Sequence, residues 1–354
     1  MANNLPIARV RFYCDQISYR LSRGIPVNGR YDVQPTSTGN NTVGVASGYS
    51  EEDLFDLRPL NTVEFLTSRA RQDHVVLSLD MMGESTSKRS FIAILNHNIN
   101  TAGAKIRLGA SDTKSHVEND DLTGATAVLP TEVLNAGSAN GSSNIFTPAS
   151  DGHTLITCAE NDLRYWGIQF EGAENSDGSS TGDYFDSSTD LTVGCILVGE
   201  YYDAAPVDVN LTRTIDFDGV NVQESVGGQR FSTMTQHGRQ ASDTSKSPFT
   251  TTTLNQRVFG GRMIYDMTMS HVAHDELMPT QYNDHDPTGD SFVNDVWNLT
   301  NGPHLPFIFS IDNTHTGSNA ESSHIFARFG QSALKMNQVA SNTFNFKLRI
   351  EEEF

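Results

Sequence analysis

Alternation of apolar and polar residues with a period of two constrains the fold of this chain more than any other feature of its sequence. The last such run shows it most clearly, because apolar and polar residues take strict turns. The apolar set is Phe344, Phe346, Leu348 and Ile350, and the polar set is Asn345, Lys347, Arg349 and Glu351. Successive side chains of a strand point to opposite faces, so this run predicts an antiparallel strand with one buried and one solvated face.

The same signal recurs along most of the chain. Trp166, Ile168 and Phe170 occupy alternate positions of RYWGIQFEG, which predicts a second strand with one buried face. The run LTVGCILV at 191–198 is apolar at both parities and predicts a central strand covered on two sides. Helical spacing is scarce, and the best helical segment follows Asp290 and ends at Asn301-Gly302-Pro303. The chain is therefore predicted to be mostly β, with few short helices.

Breaks in this pattern suggest how the chain is organised. Residues 1–50 have weak periodicity and many Gly, Pro and Asn residues, which predicts an extended N-terminal arm that docks on a neighbouring subunit. The pattern is interrupted at Ala204-Ala205-Pro206, which predicts a boundary between domains at 51–206 and 207–354. Polar stretches at 135–144 and 174–183 are predicted to be long surface loops.

Charge limits the partners that this chain can bind. The sequence has 24 Lys and Arg against 43 Asp and Glu, a net charge of −19. This charge repels nucleic acid and anionic membrane surfaces, and no apolar run approaches the roughly 20 residues that span a bilayer. The first residues lack the apolar core of a signal peptide, so we expect a soluble protein made in a cytoplasm without Sec export. Cys14, Cys158 and Cys195 are too far apart to suggest a disulfide scaffold or paired metal ligands.

The segment DHDPTGDSFVND at 284–295 has the spacing of a calcium-binding loop, with Gly289 at the sixth position. The candidate ligands are Asp284, Asp286, Thr288, Asp290 and Asp295. Two features depart from the pattern, because the twelfth position is Asp instead of a bidentate Glu and the eighth position is the polar Ser291. The alternative interpretation is an acidic turn in which Asp290 or Ser291 caps the following helix. Ca²⁺ is the only cofactor that the sequence suggests.

No catalytic motif is convincing in this sequence. Gly178 to Gly182 match the G-x-S-x-G pattern of a nucleophile elbow, but they lie in a polar loop without the required strand and helix. The pair His271 and His274 lacks a third metal ligand. We therefore predict that the chain is not an enzyme. Four aromatic residues near polar loops are candidates for stacking on a sugar, although core packing explains them equally well: Trp166, Tyr201, Tyr202 and Trp297.

Two segments resemble a family of tail and minor structural proteins of tailed-phage virions. The first runs from GYSEEDLFDLRPLNTVEF to SFIAILNHNINTAGAKIRL, with a Leu-x-Asp-x-Arg-Pro turn and strands ending in Asn-His-Asn and Arg-Leu. The matching positions are Leu54, Asp56, Arg58, Pro59, Asn96, His97, Asn98, Arg107 and Leu108. The second segment is RYWGIQFEG followed by LTVGCILVGEYYDAAPVDVN. An acidic insert at 174–190 departs from the family pattern.

This resemblance covers roughly residues 48–210 and implies a galactose-binding-like β-sandwich at 51–206 without catalytic residues. Together with the strand pattern, it implies two antiparallel β-sandwich (jelly-roll-like) domains behind the N-terminal arm. The implied function is that of a structural component of a tailed-virus virion, located in the tail, tail tip or baseplate. The implied partners are further copies of the chain and neighbouring virion proteins.

Two alternative functions remain open at this stage. The chain could decorate the capsid surface instead of the tail. It could also be a tail module that binds a host-surface glycan, or a depolymerase that cleaves one. Calcium-dependent glycan binding or sugar hydrolysis would separate these alternatives from a purely structural role.

Overall fold

The computed structural model describes residues 9–23, 31–36, 43–81, 88–134, 143–179, 181–216, 220–234, 262–279, 291–314 and 323–353. As the alternation predicts, the chain is mostly β, with several antiparallel sheets and few short helices. The strands are β1 (Arg9–Asp15), β2 (Tyr31–Thr36), β3 (Val63–Phe65), β4 (His74–Asp80), β5 (Arg89–His97), β6 (Ala104–Ser111), β7 (Thr126–Ala127), β8 (Pro130–Leu134), β9 (Ile145–Phe146), β10 (Gly152–Asn161), β11 (Tyr165–Gly172), β12 (Leu191–Val193), β13 (Cys195–Pro206), β14 (Thr212–Asp216), β15 (Val220–Glu224), β16 (Arg230–Met234), β17 (Arg262–Ala273), β18 (Phe307–Ser310), β19 (His324–Phe329), β20 (Met336–Ala340) and β21 (Thr343–Glu352).

The helices are short and connect strands. They are α1 (Gln16–Ser22), α2 (Lys114–Glu118), α3 (His274–Leu277), a π-helix at Val293–Asn298 and 3₁₀ turns at Glu51–Phe55, Thr67–Arg69 and Asp120–Leu122. The π-helix lies where the sequence predicts its best helical segment. No helix in the described ranges is long and apolar enough to cross a membrane.

Two large antiparallel sheets account for most of the described strands. The first has eleven strands, ten of them in the order β14-β17-β21-β19-β18-β1-β13-β5-β10-β8, with β20 paired to β21. The second has six strands in the order β2-β4-β11-β6-β7, with β9 paired to β6. The pairs β12–β3 and β15–β16 form two small sheets.

The six-stranded sheet packs on part of the eleven-stranded sheet as a β-sandwich. Its inward side chains come from β4, β6 and β11, and the large sheet contributes side chains from β5, β10 and β13. The core includes Val75, Leu77, Leu79, Ile92, Ile94, Ile106, Leu108, Ile156, Trp166, Ile168, Phe170, Ile196 and Val198. Burial of these large apolar side chains is the main force that holds the two sheets together.

The opposite face of β5 and β13 is buried as well. Phe91, Leu95 and Leu197 pack there with Ile308 of β18 and Phe326 of β19. The prediction of a central strand covered on two sides is therefore confirmed for Cys195–Val198, whose side chains are buried on both faces of β13.

Gly194 divides the predicted central strand in two. The preceding β12 pairs with β3, whereas β13 joins the large sheet. The Gly194 N–H lies 3.1 Å from the carbonyl oxygens of Leu95 and Asn96, and a Cβ at this position would lie 2.1 Å from the Pro59 carbonyl oxygen. Only glycine allows the chain to pass so close to the Pro59 turn.

β11 differs from its prediction because both of its faces are buried. Trp166, Ile168 and Phe170 face the sandwich core as expected. On the other face, Leu122 covers Gly167, where a Cβ would lie 2.8 Å from a Leu122 methyl carbon. The strand pattern alone does not reveal this cover, because it comes from a turn that follows α2.

The second half of the chain continues the large sheet and packs around an aromatic core. Phe12, Phe292 and Phe329 lie in this core with Phe307 and Phe309, at ring-centroid distances between 4.7 and 6.5 Å. Phe292 and Val296 bring the π-helix against β1, β18 and β21. The closing strand β21 follows its predicted alternation, with Phe346, Leu348 and Ile350 buried.

The prediction of an extended arm at 1–50 is wrong for Arg9–Asp15. These residues form β1, which pairs with β13 on one side and with β18 on the other. β1 therefore joins the two halves of the large sheet, and its residues Phe12 and Tyr13 are buried on opposite faces. The sequence does not predict this role, because charged residues interrupt the apolar pattern at Arg9, Arg11 and Asp15.

Candidate functional site

Four of the five predicted calcium ligands, Asp284, Asp286, Thr288 and Asp290, lie outside the described residues. The fifth, Asp295, lies in the π-helix, and its Oδ2 accepts a hydrogen bond from the Ser291 N–H at 2.7 Å. Ser291 Oγ in turn accepts from the Asn294 N–H at 3.3 Å. This reciprocal arrangement caps the helix start, as the alternative interpretation of the segment expects. Calcium binding stays a prediction.

Asp295 also lines an acidic groove of about 300 Å³ between β13, β10, α3 and the π-helix. The groove is lined by Arg9, Glu160, Glu200, Tyr201, Tyr202, Asp203, Ala205, Glu276 and Asp295. The pairing between β5 and β13 ends at Gly199. The groove opens beyond this residue of β13. Five carboxylates against one arginine attract cations to this groove. The sequence does not show the groove, because its residues come from distant segments.

Within the groove, several of these side chains already have partners. The Tyr202 hydroxyl donates to the Glu276 carbonyl oxygen at 2.9 Å. Asp203 accepts two hydrogen bonds from the Arg11 guanidinium, at 2.6 and 2.8 Å, and this guanidinium lies 4.1 Å from the Tyr201 ring centroid. The Arg11 contacts hold β1 against β13, and the Tyr202 hydrogen bond holds β13 against α3. We therefore assign these contacts a structural role.

A second polar cluster lies on the outer face of the six-stranded sheet. Ligand atoms of His74, Asp121 and Glu171 lie within 4.8 Å of one another. One guanidinium nitrogen of Arg107 contacts Asp121 at 2.8 Å and Glu171 at 2.9 Å, so a cation already lies between the two carboxylates. The amide of Gln169 bridges His74 and Glu171 at 2.7 and 3.2 Å. We interpret the cluster as an ion-pair network that replaces a metal ion with Arg107.

Three histidines lie together between β5, β10 and β19. Burial lowers the pKa of His97 to about 3. Burial, together with the nearby His97 and His324, lowers the pKa of His153 to about 3. His97 Nε2 lies 2.9 Å from Thr154 Oγ1 and fixes the ring against β10. Both rings are neutral at physiological pH, so this cluster supports the packing of neutral side chains.

The aromatic residues considered for sugar stacking differ in burial, since one is fully buried and three are half-buried. Trp166 is fully buried in the sandwich core, and Trp297 packs on Phe329 with a centroid distance of 5.0 Å. Tyr201 and Tyr202 are partly exposed and line the acidic groove. Glycan binding stays a prediction, with Tyr201 and Tyr202 as the available side chains.

The residues that carry the family resemblance hold turns in place. Asp56 accepts from the Arg58 N–H at 2.7 Å and from the Asn61 amide at 2.8 Å. Asn96 donates to the Pro59 carbonyl oxygen at 2.8 Å, and Asn98 accepts from the Thr192 N–H at 2.7 Å. These hydrogen bonds hold the turns around Pro59 and beside β5 and β12 in place.

The most exposed element in the described part of the chain is the ribbon Val220–Met234, made of β15, a turn and β16. Its strands pair from Val220–Met234 to Glu224–Arg230, and every described side chain from 221 to 233 is exposed. Val222 and Phe231 are each 55% exposed. A two-stranded ribbon alone is at best marginally stable in water. Exposed apolar side chains on such a ribbon are typical of a surface that packs against a partner.

Comparisons with known proteins add little to this description. No family model and no curated protein matches the chain. Among solved structures, the chain is similar to chitosan-binding module 1 from a chitosanase/glucanase of Paenibacillus sp. IK-5, with 13% sequence identity and a TM-score of 0.27. The match covers 46% of this chain and 96% of that module. A similarity this low supports no conclusion about a shared ligand.

Proposed function

We propose that this chain is a structural component of a tailed-virus virion, in the tail, tail tip or baseplate, and that it acts by assembly with copies of itself and neighbouring proteins. The ribbon Val220–Met234 is the observation that carries the proposal. Its apolar side chains Val222 and Phe231 are exposed on opposite faces of the ribbon, so packing against a neighbour would bury at least one of them and stabilise the ribbon.

The rest of the fold supports the same role. A continuous eleven-stranded sheet makes the two halves of the chain one framework, and β1 lies in its interior. The resemblance between residues 48–210 and tail proteins rests on residues that hold turns, as a load-transmitting scaffold needs. The buried state of Cys14, Cys158 and Cys195 suits a protein that assembles in a host cytoplasm, because no disulfide is needed for its stability.

Substituting Phe231 tests this proposal. A virus carrying Phe231→Asp should release particles with at least tenfold less of this chain, because a carboxylate would be buried in the assembled interface. Val339→Asp is the matched control, since Val339 is also exposed, at 49%, but lies on β20, outside the ribbon. Immunoblots of gradient-purified particles measure both variants. Normal incorporation of Phe231→Asp would contradict an assembly role for the ribbon.

A further inference from the structure

The strand β14 ends the large sheet and presents a regular edge. Its five residues pair with β17 from Thr212–Asp266 to Asp216–Arg262 without a register shift. All five side chains are exposed, including Ile215 at 48%. Its second edge has no neighbouring strand within the described residues. Such an edge can form backbone hydrogen bonds with another strand.

Within the two large sheets, the other described edge strands carry features that hinder such pairing. β8 begins with Pro130 and has a register shift in its pairing with β10. β2 contains Pro35, and β20 has a register shift against β21. β7 and β9 contain only two residues each. Since these devices block edge-to-edge association, their absence from β14 indicates an edge that is used.

We propose that β14 pairs antiparallel with β14 of a second copy of this chain, with Thr214 opposite Thr214 on a two-fold axis. Strands related in this way keep the same face, so residues of equal parity oppose each other. In this register Thr212 lies opposite Asp216 of the second copy, and Arg213 lies opposite Ile215. No like charges lie directly opposite each other, the two Arg213 side chains are diagonal neighbours about 7–8 Å apart, and the hydroxyl of Thr212 can donate to the carboxylate.

Charge favours a second copy as the partner. Arg213 and Asp216 leave β14 with no net charge, although the whole chain carries −19. The long-range repulsion between two acidic copies is screened within about 8 Å at physiological ionic strength, so the local fit decides. The guanidinium carbon of Arg213 lies 5.6 Å from the Tyr265 ring centroid, and the aliphatic stem of the same side chain would cover the exposed Ile215 of the second copy. This inference rests on the proposed assembly function and identifies one contact that it uses.

Cysteine cross-linking tests the register directly. Opposed Cα atoms of an antiparallel pair lie about 4.5–5.5 Å apart, within the range of a disulfide. Oxidised Thr214→Cys protein should therefore run on non-reducing gels as a species of twice the 38.8 kDa chain mass. Thr212→Cys is the matched control, because its two copies would lie about 13 Å apart along the strands and stay monomeric. Equal cross-linking of the two variants, or none of Thr214→Cys, would overturn the proposal.

A pair of lysine variants tests the contact without oxidation. Thr214→Lys would place two ammonium groups on the axis and should weaken dimerisation about tenfold or more in analytical ultracentrifugation. Thr212→Lys would face Asp216 of the second copy and should leave the dimer intact or tighter. Both side chains are exposed, so circular dichroism should show unchanged folds. A wild-type chain that stays monomeric at 100 µM, or equal dimerisation of both variants, would refute the pairing.

These experiments distinguish a failure of the strand pairing from a failure of the proposed virion function. If the chain is found in particles but its Thr214→Cys variant does not cross-link, only the strand pairing is refuted. If the Thr214→Cys variant cross-links but the chain is absent from particles, only the virion role is refuted.

Discussion

Asp15 connects three parts of the structure through one buried carboxylate. Its Oδ2 accepts from the Ser18 N–H at 2.7 Å at the start of α1, and its Oδ1 accepts from the Val198 N–H of β13 at 2.9 Å. Burial raises the pKa of Asp15, while these hydrogen bonds act in the opposite direction. The side chain therefore caps a helix and closes the junction between β1 and β13 at the same time.

Removing this carboxylate should destabilise the protein more than removing an ordinary cap. Asp15→Ala should lower the free energy of unfolding by about 2–3 kcal/mol, because it leaves buried N–H donors without acceptors. Ser50→Ala is the control, since Ser50 caps an exposed 3₁₀ turn and should cost about 0.5–1 kcal/mol. Urea denaturation measures both values. Equal losses would contradict the bridging role of Asp15.

The buried histidines predict a loss of stability in acid. His97 and His153 have folded-state pKa values of about 3, against an unfolded value of about 6.5. The unfolded chain therefore binds protons first, and stability falls as pH drops from about 6.5 towards 3, by up to about 1.4 kcal/mol per pH unit for each histidine. Urea denaturation between pH 7.5 and 4.5 measures this slope.

A variant separates these histidines from the carboxylates that also titrate in acid. His153→Gln should show a shallower fall of stability between pH 6.5 and 5, because it removes one of the two buried histidines that take up protons only when the chain unfolds. His271→Asn, at an exposed position with a left-handed backbone that Asn tolerates, should keep the wild-type slope. Identical slopes in all three proteins would show that the buried histidines do not control acid stability.

At the scale of elements, the Pro59 turn and the strand break at Gly194 form one unit. Gly194→Ala would place a methyl group 2.1 Å from the Pro59 carbonyl oxygen, so we expect a loss of about 2–3 kcal/mol in the free energy of unfolding. Gly44→Ala is the control, because a Cβ at Gly44 meets nothing within 4 Å. Thermal denaturation compares the two. A Gly194→Ala protein as stable as wild type would disprove the close approach.

Elements with a regular pattern could be predicted from sequence. β21 and the inner face of β11 follow the alternation of apolar residues, and the π-helix begins near its predicted position. β1 could not be predicted, because its two faces belong to different cores and its short run RVRFYCD mixes charged and apolar residues. Its role depends on β13 and β18, which follow it by more than 180 residues.

The candidate sites show the same limit. The calcium spacing at 284–295 is a local signal, and Asp295 is explained by the helix cap that it forms with Ser291. Side chains from separate segments form the acidic groove and the Arg107 cluster, so no local sequence motif predicts either of them. The exposed edge of β14 could be found only once its neighbours in the sheet were known.

At the scale of the whole molecule, the structure consists of a framework and an exposed ribbon. The large sheet unites both halves of the chain, β14 forms one end of it, and the ribbon Val220–Met234 follows β14 in the sequence. The parts that we propose for assembly are therefore adjacent along the chain and separate from the buried cores. Substitutions there should change association and leave the fold intact.

We propose that this chain is a structural part of a virus particle. Counting its copies per particle tests this proposal most directly. Quantitative mass spectrometry of gradient-purified particles should compare this chain with the major capsid protein. We expect a few copies per particle in a multiple of three or six, as for a tail component. Hundreds of copies would move the chain to the capsid surface, and its absence from purified particles would contradict the virion role.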